Sequence, residues 1–272
     1  DVNAKSPGML SSLATSRVVR PKGATFHTSV NPTLSRPGFA FDKDATPLHV
    51  AAAVGSVPIL TALQRAKAKP TAVDGVGASA LHHAALHGHA EALAWLLKTK
   101  QKVDAAIRVR KSVAFYDKGM TALHAALESG DLDAVTVLLE AGASVHAVTD
   151  YGCGALFFAA RGGNAQTLSV LEQAGIALDA TGSYLNDPLM EAIERGHHEF
   201  VERLSEAGAR SPHALWTATK RGDERMRQVL LDAGAAPLQH RGLADAAGTN
   251  DIDAVKTLLA SGADVNDALD GV

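Results

Sequence analysis

The chain repeats one short pattern of apolar and polar positions seven times. Clear copies are TPLHVAAAVG from Thr46, SALHHAALHG from Ser79 and TALHAALESG from Thr121, and fainter copies begin at residues 154, 187, 213 and 241. Three columns of these copies never vary: a leucine, an alanine three residues later, and a second leucine beyond the glycine that closes most copies. The columns are Leu48, Leu81, Leu123, Leu156, Leu189, Leu215 and Leu243; Ala51, Ala84, Ala126, Ala159, Ala192, Ala218 and Ala246; Leu63, Leu96, Leu138, Leu171, Leu204, Leu230 and Leu258.

Each copy predicts a pair of short helices. Leucine and alanine three residues apart lie on one face of a helix, and the alanine lets a neighbouring helix approach closely. The closing glycine suits a left-handed helix end or a tight turn. A second amphipathic helix follows it, with apolar residues three and four apart, as in Leu132, Val135, Leu138 and Leu139. Such a pair cannot bury its apolar face alone, so the pairs must stack into a solenoid.

The segments TPLHVAA, ALHHAALHGHAEAL and GADVN resemble the ankyrin repeat, and the resemblance covers Phe41 to Val272. It predicts an all-α ankyrin-repeat solenoid of seven units, in a domain of residues 42–272. It also implies helix pairs with projecting β-hairpin fingers, and a concave face of finger tips and first helices that binds other proteins.

The spacing between copies departs from the family period of 33 residues. Their first positions, 46, 79, 121, 154, 187, 213 and 241, are separated by 33, 42, 33, 33, 26 and 28 residues. The nine surplus residues fall within DAAIRVRKSVAFYD, which we interpret as an extended finger over 104–117. Apolar Ile107 and Val109 alternate there with Arg108 and Arg110, as a strand pair would. The last two spacings are seven and five residues shorter than 33, yet the pattern of both helices is kept in these units. The missing residues must therefore come from the fingers, so the last two junctions should lack a proper hairpin.

The fourth position of the pattern changes along the chain. The resemblance implies that a histidine there joins turns by hydrogen bonds, as it would at His49, His82 and His124. The later copies replace it, and bulky apolar side chains can fill the same gap, so we expect degenerate C-terminal units. The replacements are Phe157, Met190, Trp216 and Ala244.

Composition and charge indicate which kinds of partner and location are favoured. A net charge of −3 over 272 residues does not favour nucleic acid as a partner, and a single cysteine fits a reducing, cytoplasmic location. No apolar run approaches the length of a membrane span. We expect a monomer.

The segment 1–41 has a net charge of +4 and is rich in Ser, Thr and Pro. It is interpreted as a cap or linker, with a targeting segment as the alternative.

The sequence offers few candidates for metal-binding or catalytic residues. His83 and His87 are four residues apart and could face one metal, but Ala84 stands where the zinc-protease pattern needs glutamate. We therefore predict no metal and no cofactor. Cys153 is expected to be an ordinary surface thiol, the alternative being a reactive one whose pKa Arg161 lowers. With no catalytic pattern, the sequence predicts a protein that is not an enzyme.

The resemblance places partner contacts in the turn before each copy and in the pair of residues before its glycine. Tyrosine and arginine are the usual anchors of interfaces, which favours Tyr151, Arg161, Tyr184 and Arg195. The complete set is Val76, Leu86, His87, Asp117, Lys118, Met120, Glu128, Ser129, Tyr151, Cys153, Arg161, Tyr184, Asn186, Glu194 and Arg195.

The extended finger adds a basic arm. Residues 98–118 hold seven Lys or Arg and two Asp, a net charge of +5. Such charges protect an exposed strand edge from aggregation, but seven exceed that need. We therefore predict that Arg108, Arg110 and Lys111 bind an acidic partner segment. The sequence thus predicts a protein-binding scaffold. The alternatives are a targeting module of a larger pathogen effector or multidomain enzyme, and a structural role in which residues 1–41 fill the groove.

Overall fold

The computed structural model describes residues 44–99, 101–108, 118–179, 186–211, 213–235, 243, 246–247, 252–260, 262–263 and 265. The predicted N-terminal segment 1–41 and most of the extended finger, residues 109–117, lie outside the described residues.

Helix pairs follow one another along the described chain, as the repeated pattern predicts. The first helices of the units are α1 (Pro47–Val54), α3 (Ala80–Leu86), α5 (Ala122–Ser129), α7 (Ala155–Gly162), α9 (Pro188–Arg195) and α11 (Ala214–Lys220). The second helices are α2 (Val57–Arg65), α4 (Ala90–Leu97), α6 (Leu132–Glu140), α8 (Gln166–Gln173), α10 (His198–Glu206), α12 (Glu224–Asp232) and α13 (Ile252–Ala260).

The helices form two layers. Each first helix from α1 to α11 packs against the first helix of the next unit, and the second helices α2, α4, α6 and α8 pack in the same order. All seven alanines of the invariant column are buried, as are Leu96, Leu138 and Leu171. One apolar cluster runs from Leu48 to Leu230. The prediction of an all-α solenoid is therefore confirmed, although Leu63 and Leu243 of the leucine columns are only partly buried.

In the first and third units the histidine of the pattern joins the helix start to the next finger. In α5, Nδ1 of His124 accepts the backbone N–H of Thr121 at 3.1 Å. Its Nε2 donates to the carbonyl of Ala147 at 3.0 Å, 23 residues further along. His49 makes the same pair of bonds, to Thr46 at 2.9 Å and to the carbonyl of Ala72 at 3.0 Å. One imidazole thus satisfies a donor that the helix leaves unpaired and also holds the base of the following finger.

Apolar residues take over this position after the third unit. Phe157 and Met190 are buried where the histidine would stand. Phe157 packs edge-on against Phe158, with ring centroids 5.8 Å apart. The gap is therefore filled by packing, as expected, and the hydrogen-bonded link is lost with the histidine.

The fingers are tight turns in the described residues, which contain no named strand. Val73 and Ser79 form an isolated antiparallel bridge. Between them Gly77 has φ +89°, and a Cβ there would lie 2.7 Å from the carbonyl oxygen of Arg108 in the next finger. Only glycine allows both the left-handed backbone and this close approach. Successive fingers therefore touch through their backbones.

The base of the extended finger is closed by backbone pairing. The N–H of Ile107 donates to the carbonyl of Met120 at 2.8 Å, and the N–H of Gly119 donates to the carbonyl of Ile107 at 3.0 Å. Asp104 ties the same segment to the next unit by accepting the N–H of Ser144 at 2.9 Å. The described ends of the insertion thus meet as the two arms of a hairpin do.

The later junctions differ in length. Residues 207–213 join α10 to α11, half the length of 141–154 between α6 and α7. The turn after α10 leads almost directly into α11, which leaves no room for a finger. The next junction lies mostly outside the described residues. A separate small cluster of Ala246, Leu258 and Ala263 packs against Trp216 at this end.

Candidate protein-binding surface

The finger turns carry large exposed apolar side chains. Val148 is 59% exposed, Tyr151 44% and Val73 41%. Beside Tyr151, Nζ of Lys118 lies 2.5 Å from Oδ2 of Asp150, and both side chains of this pair are about half exposed. The hydrogen bond to Asp150 raises the pKa of Lys118. The turns thus combine apolar area with a charged pair.

Several predicted contact residues are accessible in the structure. The exposed ones among them are Lys118, Ser129, Tyr151, Glu194 and Arg108, and the partly buried ones are Val76, Leu86, His87, Glu128, Asn186 and Arg195. Burial, and then the charges of His83 and His89, lower the pKa of His87 to about 4. Burial and the nearby Glu191 raise the pKa of Glu194. Arg110, Lys111, Asp117 and Tyr184 lie outside the described residues.

Three predicted contact residues are buried instead. Met120 is enclosed in the core, because its backbone pairs with Ile107 at the finger base. Cys153 is buried, and its N–H donates to Oγ1 of Thr149 at 3.2 Å. The expected surface thiol is therefore wrong, and burial raises the pKa of the thiol, which makes it less reactive.

Arg161, the third buried residue, is the centre of an ion-pair network. Its Nη2 lies 2.7 Å from Oε1 of Glu128, and its Nε lies 3.7 Å from Oε1 of Glu191. Glu191 also pairs with Nε of Arg195 at 2.7 Å. The guanidinium stands 5.6 Å from the ring centroid of Phe158. Arg161 is thus surrounded by its own chain, so the prediction that it anchors a partner is wrong for the structure described.

Glu128 and Arg161 occupy the same position of successive units, 33 residues apart. Their pair therefore runs between α5 and α7, and Glu191 extends it to α9. Because successive first helices pack together, residues at equivalent positions of neighbouring units come into contact. The sequence indicates this contact once the units are aligned with one another. The sequence-based prediction assigns both residues to a partner instead of to each other.

His83, one of the two histidines considered as metal ligands, is paired with Asp74 instead. Nε2 of His83 lies 2.8 Å from Oδ2 of Asp74, and both side chains are completely buried. Oδ1 of Asp74 accepts the N–H groups of Val76 at 3.1 Å and Ala78 at 2.9 Å. Burial raises the pKa of Asp74, but these bonds and the charge of His83 outweigh it and lower the pKa overall.

This Asp74–His83 pair was missed from the sequence. The dipeptide Asp74-Gly75 is a turn signal, and an aspartate in a turn accepts nearby backbone N–H groups. In the described residues no three His, Cys, Asp or Glu side chains are arranged to hold a metal ion.

The comparisons with known proteins agree with this architecture. The model of the family described as ankyrin repeats (3 copies) matches residues 28–108 and 48–149. This match and the structural match below support an ankyrin-repeat family for the chain. Ankyrin repeats are in general protein–protein interaction modules, and the fold is typically a non-enzymatic binding scaffold.

Particular relatives cover parts of the chain. The crystal structure of the human ASB11 ankyrin repeat domain matches with a TM-score of 0.65 and 26% identity, over 80% of this chain and 98% of that one. The B-cell lymphoma 3 protein homolog of Mus musculus is 36% identical over 103 residues, 38% of this chain and 22% of that protein. The putative palmitoyltransferase ZDHHC13 of Danio rerio is 32% identical over 137 residues, 41% of this chain and 21% of that protein. The chain thus spans about a fifth of the length of these two relatives.

No helix in the described residues is long and apolar enough to cross a membrane.

Proposed function

We propose that the chain is a protein-binding scaffold, not an enzyme, that holds its partner against the finger turns and the adjoining ends of the first helices. The observation that carries the proposal is the exposure of Val148 and Tyr151, which lie three residues apart in one finger turn. Large apolar side chains clustered at a surface mark interaction sites, and tyrosine contributes a large rigid contact area.

The charged residues around this turn support the same site. The Lys118–Asp150 pair lies beside Tyr151, which suits a polar rim around an apolar centre. Glu128 and Arg195 are only partly accessible, because they are paired with Arg161 and Glu191. We propose that they shape the floor of the site, and that the finger turns supply most of the contacts.

The extended finger is the second part of the proposal. Arg108 is exposed at its described base, next to Lys118 and Gly119. Arg110 and Lys111 follow in the sequence. We propose that these cations attract an acidic segment of the partner. Exposed charges of this kind mainly raise the association rate and make it dependent on salt.

The test captures partners from a lysate with the whole chain as bait and compares variants. Val148→Ser with Tyr151→Ala should reduce the captured partner about tenfold or more, since anchors of an interface each contribute about 2 kcal/mol. Leu259→Ser is the matched control, because Leu259 is an exposed apolar residue on the distant α13. Thermal unfolding of each variant checks that the fold is intact. Equal capture by the double variant and the control would contradict the proposal.

The finger has its own variant. Glutamate at Arg108, Arg110 and Lys111 should abolish partner binding while the melting temperature stays unchanged. The association rate should also lose its dependence on salt. A variant that still binds as the unaltered chain does would show that the finger is only a shielded edge.

A further inference from the structure

Ile59 in α2 is exposed at a position that later units bury. Its side chain is 51% exposed, although it lies four residues before the second leucine column. The same position is completely buried in the next five units, as Ala92, Ala134, Thr167, Phe200 and Met226. One exposed isoleucine is ordinary on a protein surface. A position that five successive units bury indicates instead that the first unit lacks the neighbour that covers it in the others.

Three more positions of the first unit show the same difference. Leu63 is only partly buried, whereas the later residues of its column are at most 3% exposed. Pro47 and Val50 of α1 are also partly buried. Ala80 and His83, at the same positions of α3, are completely buried. We name as the end face the four residues Pro47, Val50, Ile59 and Leu63.

The end face is the side from which a preceding unit would pack. Within the described residues, α1 and α2 have a neighbouring unit on one side only, formed by α3 and α4. The terminal units of a stack need a polar outer face to keep the protein soluble. The end face consists of apolar side chains instead. It therefore requires an element that covers it.

The backbone at Asp44 indicates from which side the chain enters the first unit. Asp44 has φ +76°, at the position where later fingers have Gly77, Gly119 and Gly152, with φ from +78° to +90°. Aspartate is one of the few residues besides glycine that adopt this conformation. The chain thus enters α1 through the end of a finger, as it does in the later units. In those units the other arm of the finger comes from a second helix that packs on the side equivalent to the end face.

Residues 28–43, which lie outside the described residues, have the length and composition to cover the end face. The match to the family model begins at residue 28, well before Leu48. Eighteen residues separate position 28 from Thr46, whereas the fifteen from His198 to His213 are enough for the whole of α10 and its junction. The segment holds four large apolar residues, Val30, Leu34, Phe39 and Phe41.

We infer that residues 28–43 fold over the end face and close this end of the solenoid. Phe39 and Phe41, close to Asp44 in the sequence, supply apolar area that meets Ile59 and Leu63. The removal of these side chains from water drives the contact. The inference does not depend on the proposed function. It leaves the concave face open to a partner, whereas a structural role for residues 1–41 would fill it.

Thiol labelling of the full chain tests the contact. Cys153 is the single cysteine of the chain and is buried, so an introduced cysteine is labelled selectively. Val54→Cys is the matched control, because Val54 is 58% exposed at the end of α1, before the glycine, and lies outside the end face. Ile59→Cys should react about tenfold or more slowly than Val54→Cys. Serine at both Phe39 and Phe41 should restore fast labelling of Ile59→Cys.

Three outcomes of the labelling would overturn the inference. The first is equally fast labelling of the two cysteines. The second is slow labelling of Val54→Cys with fast labelling of Ile59→Cys, which would place the segment in the concave face. The third is protection of Ile59→Cys that survives the serine substitutions. If that protection grows with protein concentration, a second copy of the chain covers the end face.

Proteolysis gives an independent measurement that needs no cysteine variant. Chymotrypsin cleaves after Phe39 and Phe41. Ile59→Asp places a charge beneath the segment and should speed this cleavage about tenfold or more, because cleavage follows the population of the open form. Val54→Asp should leave the rate unchanged, and equal rates in the two variants would contradict the contact. Since all these variants keep Val148 and Tyr151, partner capture at the finger turns can fail without affecting this result.

Discussion

Acid should unfold this protein through its buried histidines. Nδ1 of His124 accepts a backbone N–H and its Nε2 donates to a carbonyl, so only the neutral ring satisfies both bonds. His49 is held in the same way. Burial, the largest cause, lowers the pKa of His49, His82 and His124 from 6.5 to about 4.

The direction of the pH dependence follows from the histidine pKa in the unfolded chain and in the folded chain. The unfolded chain binds protons below pH 6.5, whereas the folded chain resists them until about pH 4. The free energy of unfolding is therefore greatest above pH 6.5, falls as the pH drops towards 4, and changes no further below that. Each histidine should cost about 2 kcal/mol at pH 5 and about 3 kcal/mol when fully protonated. Three such histidines approach the whole stability of a typical domain, about 5–15 kcal/mol.

Urea unfolding at several pH values between 7 and 5 tests this. The range isolates histidines, because carboxylates with lowered pKa, such as Asp74, lose their contribution only at lower pH. His124→Gln should be less stable at pH 7, because a buried network is broken, but should lose about 2 kcal/mol less between pH 7 and 5. His146→Gln, at an exposed turn, is the matched control and should match the unaltered chain at pH 7. A free energy of unfolding that is equal at pH 7 and pH 5 would refute the reasoning.

The remaining predictions concern single buried side chains. Leu138→Ala should lower the free energy of unfolding by about 2–5 kcal/mol in urea unfolding, whereas Leu259→Ala on the surface should change it little; an unmoved Leu138 variant would contradict the register of the units. His83→Leu should cost about 3–5 kcal/mol by the same measurement, because it leaves the Asp74 carboxylate buried beside an apolar side chain. Cys153 should react with a thiol reagent at the rate at which the chain opens, and rapidly in urea; a fast reaction in the native protein would contradict its burial. Elemental analysis of the chelator-washed protein should find no stoichiometric zinc, since Nε2 of His83 is held by Asp74.

Much of the fold could be predicted from the sequence, because the periodic leucines and alanines report directly on what each helix buries. The invariant alanines and Leu138 are all buried, as the spacing requires. The nine surplus residues fall between α4 and α5, and their interpretation as an extended finger stays a prediction. These features depend only on local pattern and on repetition.

The site was predicted less well, because the accessibility of a side chain depends on its neighbour in the next unit. Arg161 and Glu128 each resemble a solvated surface residue when one unit is considered alone. The stack of units places them 2.7 Å apart and removes Arg161 from solvent. Cys153 is buried as well. Only the pairing of equivalent positions, 33 residues apart, could have revealed this from the sequence.

These buried contacts limit where the chain can distinguish one partner from another. A side chain that holds two units together cannot be altered without destabilising the stack, so Arg161 and Glu191 are constrained by folding before any partner is considered. In the finger turns, by contrast, the side chains of Val148 and Tyr151 are 59% and 44% exposed. Under the proposed function, the chain can therefore vary its recognition at the turns and in the inserted finger while the helical layers stay fixed. A rigid scaffold with variable loops is the general arrangement by which repeat proteins bind different partners.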